Sequence, residues 1–197
     1  MAADHRSLPR RRGEELNAAI LQAALEELAE VGYARLTMEG VAERARTGKA
    51  SLYRRWPSRM ELVVEAVYHS LPDPTSPPDT GSLRGDLLAM LRGNAEVLAG
   101  PAGEALRGLL SDVLSDRGRT KELRDLSRGG GRRGMQEICR RAAGRGEVDP
   151  RALTPRRLDV AQAMLRQEFL FHGTPIPDET IVAIVDEVLL PLLASRP

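Results

Sequence analysis

The chain has 197 residues, with 29 Lys and Arg against 28 Asp and Glu, 42% hydrophobic residues and a single cysteine. That length and apolar content bury a core in one or two domains, and the mixed charge argues against wholesale disorder. Lone Cys139 makes no internal disulfide, residues 1–13 lack the apolar run of a secretion signal, and no stretch approaches the ~18 uninterrupted apolar residues of a membrane span, so a soluble cytoplasmic protein is expected.

In chain order, Arg10-Arg11-Arg12-Gly13 forms a short basic arm, by default a solvated tail and otherwise a strand along a DNA backbone or minor groove. A helix is expected over 14–31, with Leu16, Ile20, Ala24 and Leu28 on one stripe, Leu21 and Leu25 widening it, and Gly32 as its stop. Thr37 is placed to cap a second helix, whose Met38, Val41, Ala42 and Ala45 share a face. After a break at Arg46-Thr47-Gly48, a third, short helix turns Leu52 and Trp56 inward and Lys49, Ala50 and Tyr53 outward, until Pro57-Ser58 ends it. Two short helices around a tight turn, the second rich in basic and small residues, make a probe for the major groove of DNA.

Charge points to the same segment. Residues 31–60 hold Arg35, Arg44, Arg46, Lys49, Arg54, Arg55 and Arg59 against Glu39 and Glu43, which leaves the rest of the chain net negative. A basic cluster alone reads as a solvated helix face. Small residues at Gly48, Ala50 and Ser51 beside Lys49 and Tyr53 shift the balance, because they let a helix approach base edges while longer groups reach phosphates.

Ser58-Arg59-Met60-Glu61 is a capping box, so a fourth helix is expected through Leu62, Val63, Ala66 and Val67 to about Leu71. Residues 72–82 carry four prolines and mark a linker. This divides the chain into an arm (1–13), a DNA-binding domain (14–71), the linker (72–82) and a helical regulatory domain (83–197). Leu83, Leu87, Leu91, Ala95 and Leu98 pattern one helix, and Leu106, Leu109, Leu110 and Leu114 another. Segment 117–134 is expected to be irregular around Gly129-Gly130-Gly131, its Arg128, Arg132 and Arg133 forming a solvated loop rather than a second nucleic-acid surface. A helix resumes near Met135, Ile138 and Ala142. Thr154-Pro155 opens another that runs to His172-Gly173, and Asp178 is expected to cap a last one, with Pro191 bending its final turn.

Residues 15–71 resemble the amino-terminal domain of the Tet-repressor-like (TetR) family of bacterial transcriptional regulators. The match rests on Val31-Gly32-Tyr33, Leu36-Thr37-Met38, Val41-Ala42, Lys49-Ala50-Ser51-Leu52-Tyr53-Arg54-Arg55-Trp56 and Pro57-Ser58-Arg59, in that order. The resemblance implies an all-α fold, a helix-turn-helix head followed by a helical ligand-binding and dimerisation domain. It places base contacts on Thr47, Lys49, Ala50 and Ser51, phosphate contacts on Thr37, Tyr53, Arg55 and Arg59, and either role on Arg54; Arg46 joins the set from the turn. The pattern departs from the family's at two points. Arg46 stands where Gly is usual and must accept a conformation Gly adopts more readily, and Gly48 offers no side-chain cap.

By the same resemblance the last two helices pair with their copies in a homodimer, through Leu158, Ala161, Leu165, Ile181, Ile184, Val185, Val188, Leu189 and Leu192; ordinary packing within one chain is the alternative for this apolar face. A dimer presents two heads to a palindromic double-stranded operator. A small effector, expected to be hydrophobic given the aliphatic, methionine-bearing walls, would lie among Met90, Leu91, Met135, Cys139, Met164, Glu168 and Phe171 and release the DNA, each of these residues being more often plain core. Catalysis has little basis. His5, His69 and His172 show no metal-ligand spacing, no phosphate-binding glycine loop is present, and no cofactor is implied; His172 reads as a partner for free carbonyls at a helix end. The expectation is therefore a non-enzymatic, ligand-responsive repressor, with an architectural DNA-binding protein, or a helical ligand carrier or enzyme, as alternatives.

Overall fold

The computed structural model describes residues 13–114, 116–126 and 130–193, all of the regular structure helical. The basic arm Arg10-Arg11-Arg12, Arg128 and Gly129 lie outside the described residues. Helix α1 (Glu14–Val31) ends at Gly32, whose φ of 74° is a conformation that glycine adopts without a side-chain penalty. A 3-10 turn (Tyr33–Arg35) leads to α2 (Met38–Arg44), α3 (Lys49–Tyr53) and α4 (Arg59–Ser70). The expected caps are in place: Thr37 Oγ1 accepts from the Gly40 amide and Ser58 Oγ from the Glu61 amide. Each cap contributes about 1 kcal/mol.

After the proline segment come α5 (Leu83–Ala99), α6 (Pro101–Val113), α7 (Arg117–Leu126), α8 (Gly130–Gly144), a 3-10 turn (Pro150–Ala152) and α9 (Pro155–Phe171). The chain closes with α10 (Asp178–Ala183), a π-helical turn (Ile184–Leu189) and α11 (Leu190–Leu193).

Three local expectations are corrected. Segment 117–134 is largely helical, because Asp116 caps α7 by accepting from the Gly118 and Arg119 amides, and Arg132 is tied bidentately to Asp159 rather than solvated in a loop. Asp178 is the first residue of α10 and not its cap, since its carboxylate is held by the Arg92 guanidinium at 2.6 and 2.8 Å. The irregularity near Pro191 is the widened turn just before it. Proline has no amide hydrogen and its ring crowds the carbonyl four residues earlier, a conflict that a π-helical turn absorbs.

The packing does not follow the chain division at the linker. One core joins α1 to α4 with Ala102, Ala105, Leu109 and Val113 of α6 and Leu123 of α7; the other joins α5 and α8 to α11. Helix α6 is therefore built into the head, and each of its fully buried Leu and Val side chains contributes about 1.5–3 kcal/mol to that attachment. The contact is close. A Cβ on Gly108 would stand 2.8 Å from Tyr33 Cβ, so only glycine lets α6 lie against the turn after α1.

Candidate nucleic-acid interface and interior cavity

The turn between α2 and α3 has the hydrogen bonds of a Schellman ending: the Arg46 amide donates to the Glu43 carbonyl at 3.0 Å and the Thr47 amide to Ala42 at 2.9 Å. Its left-handed residue is Arg46, with φ 52°, the position where glycine was noted as the usual choice. Strain of about 1 kcal/mol is accepted there, and the Arg46 side chain is turned out to solvent. Helix α3 starts at Gly48 without a side-chain cap. Leu52 and Trp56 are buried and the indole Nε1 donates to Glu65 at 2.7 Å, which anchors the helix from behind.

On the outer face Lys49, Ala50, Tyr53 and Arg54 are exposed, Tyr53 by 44%. Thr47 and Ser51 are half-buried at its edge. The Lys49 ammonium is paired with Glu39 of α2 and sits 5.7 Å above the Tyr53 ring. That pairing raises the Lys49 pKa and lowers that of Glu39, in each case chiefly through the hydrogen bond between them. Arg54 has no ion-pair partner among the described residues.

Two arginines expected at phosphates are occupied within the protein. Arg55 Nε donates to Asn17 Oδ1 at 2.6 Å, and its Nη1 to the Ser51 carbonyl and hydroxyl at 2.9 and 2.8 Å, clamping α3 to α1. Arg59 faces the interior. Its guanidinium lies 4.3 Å from the Tyr33 ring centroid, donates to the Tyr33 and Leu36 carbonyls at 3.1 Å each, and stands 3.9 Å from Asp112 of α6. Burial raises the pKa of Tyr33, with Arg59 opposing the rise. Thr37 remains exposed at the start of α2, its oxygen accepting while its hydrogen stays available.

The residues named for an effector are mostly elsewhere. Leu91, Met135 and Cys139 are packed in the second core, and burial pushes the Cys139 thiol up to about 11. Phe171 is 79% exposed at the end of α9, Glu168 pairs with His172 Nδ1 at 2.9 Å instead of lining a cavity, and Met164 packs on the second core. The side-chain partner of His172 is thus the Glu168 carboxylate, where helix-end carbonyls were expected. Of that set Met90 borders a chamber of about 200 Å³ walled by Pro72, Pro74, Pro77 and Pro78.

A larger cavity of about 710 Å³ lies between the cores, bounded by Val64 and Val67 of α4, Leu98, Leu106 and Leu110, Leu123, and the α9 stripe Arg156, Asp159, Gln162, Arg166 and Phe169. Tyr68, Leu71, Asn94 and Gln162 border both chambers. No local pattern marks this site, because its walls come from segments spaced along most of the chain and look like ordinary helix faces. Among the described residues no cluster of three His, Cys, Asp or Glu side chains could hold a metal ion, and no helix is long and apolar enough to cross a membrane.

Most of the residues expected at a dimer contact are likewise internal. Leu158, Ala161, Leu165, Ile181, Ile184, Val185 and Leu189 are buried within the protomer, whereas Val188 and Leu192 are partly exposed. A period of apolar residues marks the buried face of a helix without telling whether the core behind it belongs to one chain or two.

A helix-turn-helix with an outward cationic and small-residue face, carried on an all-helical body, defines a DNA-binding regulator. Residues 20–66 match the family model described as bacterial regulatory proteins, tetR family, and residues 77–188 match the tetracyclin repressor-like, C-terminal domain. The chain is 37% identical over 188 residues to the DNA-binding transcriptional repressor TetR of Mycobacteroides abscessus, covering 92% of this chain and 96% of that protein. It is 33% identical over 177 residues to an uncharacterized HTH-type transcriptional regulator of Mycobacterium tuberculosis, covering 88% and 86%. The crystal structure of TetR family transcription regulator SCO0332 superposes with a TM-score of 0.74 at 31% identity, over 92% of this chain and 100% of that one. The chain belongs to the TetR family of DNA-binding transcriptional regulators and is not an enzyme.

Proposed function

We propose that this protein is a cytoplasmic, dimeric repressor that binds a palindromic operator through α3 and is released when a small molecule occupies the interior cavity. The observation that carries the reading is the outward face of α3, where Lys49, Ala50, Tyr53 and Arg54 are exposed on a helix anchored behind by Leu52 and Trp56. Lys49, Ala50, Ser51 and Thr47 face the bases; Thr37, Tyr53, Arg54 and Arg46 reach phosphates. Arg55 and Arg59 position the helix and the head.

Dimerisation uses the outer sides of α9 and the closing helix, where Phe171, Val188 and Leu192 leave apolar surface uncovered. Release follows from the attachment of α6 to the head. A guest wedged against Leu106, Leu109 and Leu110 bears on the helix whose Gly108 lies against Tyr33, so it favours a different separation of the two heads. The test is a gel shift with DNA upstream of the protein's own gene and random duplex as competitor. The wild type should shift the promoter fragment selectively, and Lys49→Ala with Tyr53→Ala should abolish the shift while the dimer persists in sedimentation. Equal retention of random duplex would make the protein architectural instead.

A further inference from the structure

The charge on the walls of the larger cavity limits what it can hold. Its ionic groups are Arg132, Arg156, Asp159 and Arg166. The one carboxylate is already engaged, since Asp159 receives Arg132 Nε and Nη2 at 2.9 and 2.6 Å. Arg156 and Arg166 have no ion-pair or hydrogen-bond partner among the described residues, and both stand on the cavity-facing stripe of α9. Ten residues of helix set them about 15 Å apart, so one acidic group meets one of them at a time.

A second observation is independent of charge. Asn94 is 93% buried (7% exposed), borders both chambers, and its side-chain amide has no hydrogen-bond partner among the described residues. None of its polar atoms is fully buried, so water can serve them and a guest with a polar atom can take that water's place. Around these groups the wall is largely aliphatic, and Tyr68, Leu71, Asn94 and Gln162 border the smaller chamber as well.

We infer that the effector is an amphipathic anion, an aliphatic body ending in a carboxylate or phosphate that pairs with an α9 arginine, and not the neutral hydrophobe that composition suggests. This rests on the reading of the cavity as the effector site. A guanidinium fork is suited to either oxyanion, and with both arginines exposed the head group stays at the mouth of the cavity while the aliphatic body enters.

The test is calorimetric titration of the full-length protein with four probes of equal chain length: dodecanoate, dodecyl phosphate, dodecanol and dodecyltrimethylammonium, all at micromolar concentrations. One molecule of an anionic probe per protomer is expected, at least tenfold tighter than the alcohol, with no saturable binding of the ammonium; the tighter of the two anions identifies the head group. The double variant Arg156→Gln, Arg166→Gln should lose at least tenfold in that affinity while keeping its circular dichroism and melting temperature, and the single variants locate the paired end. Equal binding of the alcohol, an unchanged affinity in the folded double variant, or no saturable binding by either anion would overturn the inference. The promoter gel shift is read separately. An operator-binding protein that takes no anion refutes this inference alone, and an anion-binding protein that ignores its promoter refutes the regulatory reading alone.

Discussion

Replacing Arg59 by Ala separates two roles for the same side chain. As a phosphate contact it would add nothing to stability, and its loss would lower the slope of log affinity against log salt by about 1 per contact removed. The structure has it inward, stacked 4.3 Å from Tyr33 and donating to the Tyr33 and Leu36 carbonyls at 3.1 Å. Two hydrogen bonds from a charged donor contribute about 1.5 kcal/mol each, and a partly exposed cation–ring contact about 0.5 kcal/mol. The 3.9 Å approach to Asp112 adds little at a side chain that is 30% exposed. The sum of about 3.5 kcal/mol corresponds to a fall in melting temperature of roughly 7–14 °C for a protein of this size. Differential scanning calorimetry measures the fall, and gel shifts from low to moderate salt measure the slope. An unchanged melting temperature together with a shallower slope would refute the inward assignment.

Three further perturbations follow from the same geometry. Arg46→Gly removes a left-handed side chain at φ 52° and should raise unfolding free energy by up to about 1 kcal/mol, while weakening DNA binding through the lost charge; a drop in stability on denaturant unfolding would contradict the account of the turn. Glu39→Gln frees Lys49 and removes a negative charge beside the groove-facing helix, so promoter affinity should rise roughly threefold, and weaker binding would mean that Glu39 holds Lys49 in its reading posture. Because the Glu39 pKa is lowered from 4.5, the pair is present at neutral pH and is lost only as pH falls through that lowered value, so the Glu39 carboxylate contributes no pH dependence between 6 and 8. Cys139, with its thiol pushed up to about 11 and its side chain fully buried, should resist iodoacetamide at pH 8 until the protein unfolds, and fast alkylation of the native state would contradict that burial.

Legibility in the sequence differed between the two halves for a physical reason. The head was readable because its signals are local: caps at Thr37 and Ser58, inward Leu52 and Trp56, and the Arg46 turn are all decided by residues within one or two helical turns. Arg55 and Arg59 carried a charge that looked available for DNA, but Asn17, Tyr33 and Leu36, which occupy them, lie 23 to 38 residues away and leave no periodic trace. In the other half, apolar stripes identified helices correctly and their partners wrongly. Leu165 and Val185 pack within the protomer, and Met135 and Cys139 fill core rather than line space. A cavity is made by where side chains fail to meet, and no stretch of sequence records that.

The central claim, that α3 reads the major groove, is tested most directly by methylation interference on the promoter fragment. Methyl groups on guanine N7 project into the major groove, so they should block binding at discrete guanines in two symmetric half-sites, and Lys49→Ala should lose sensitivity at the guanine it contacts. Interference confined to adenine N3 in the minor groove, or an identical pattern for Lys49→Ala and the wild type, would contradict it.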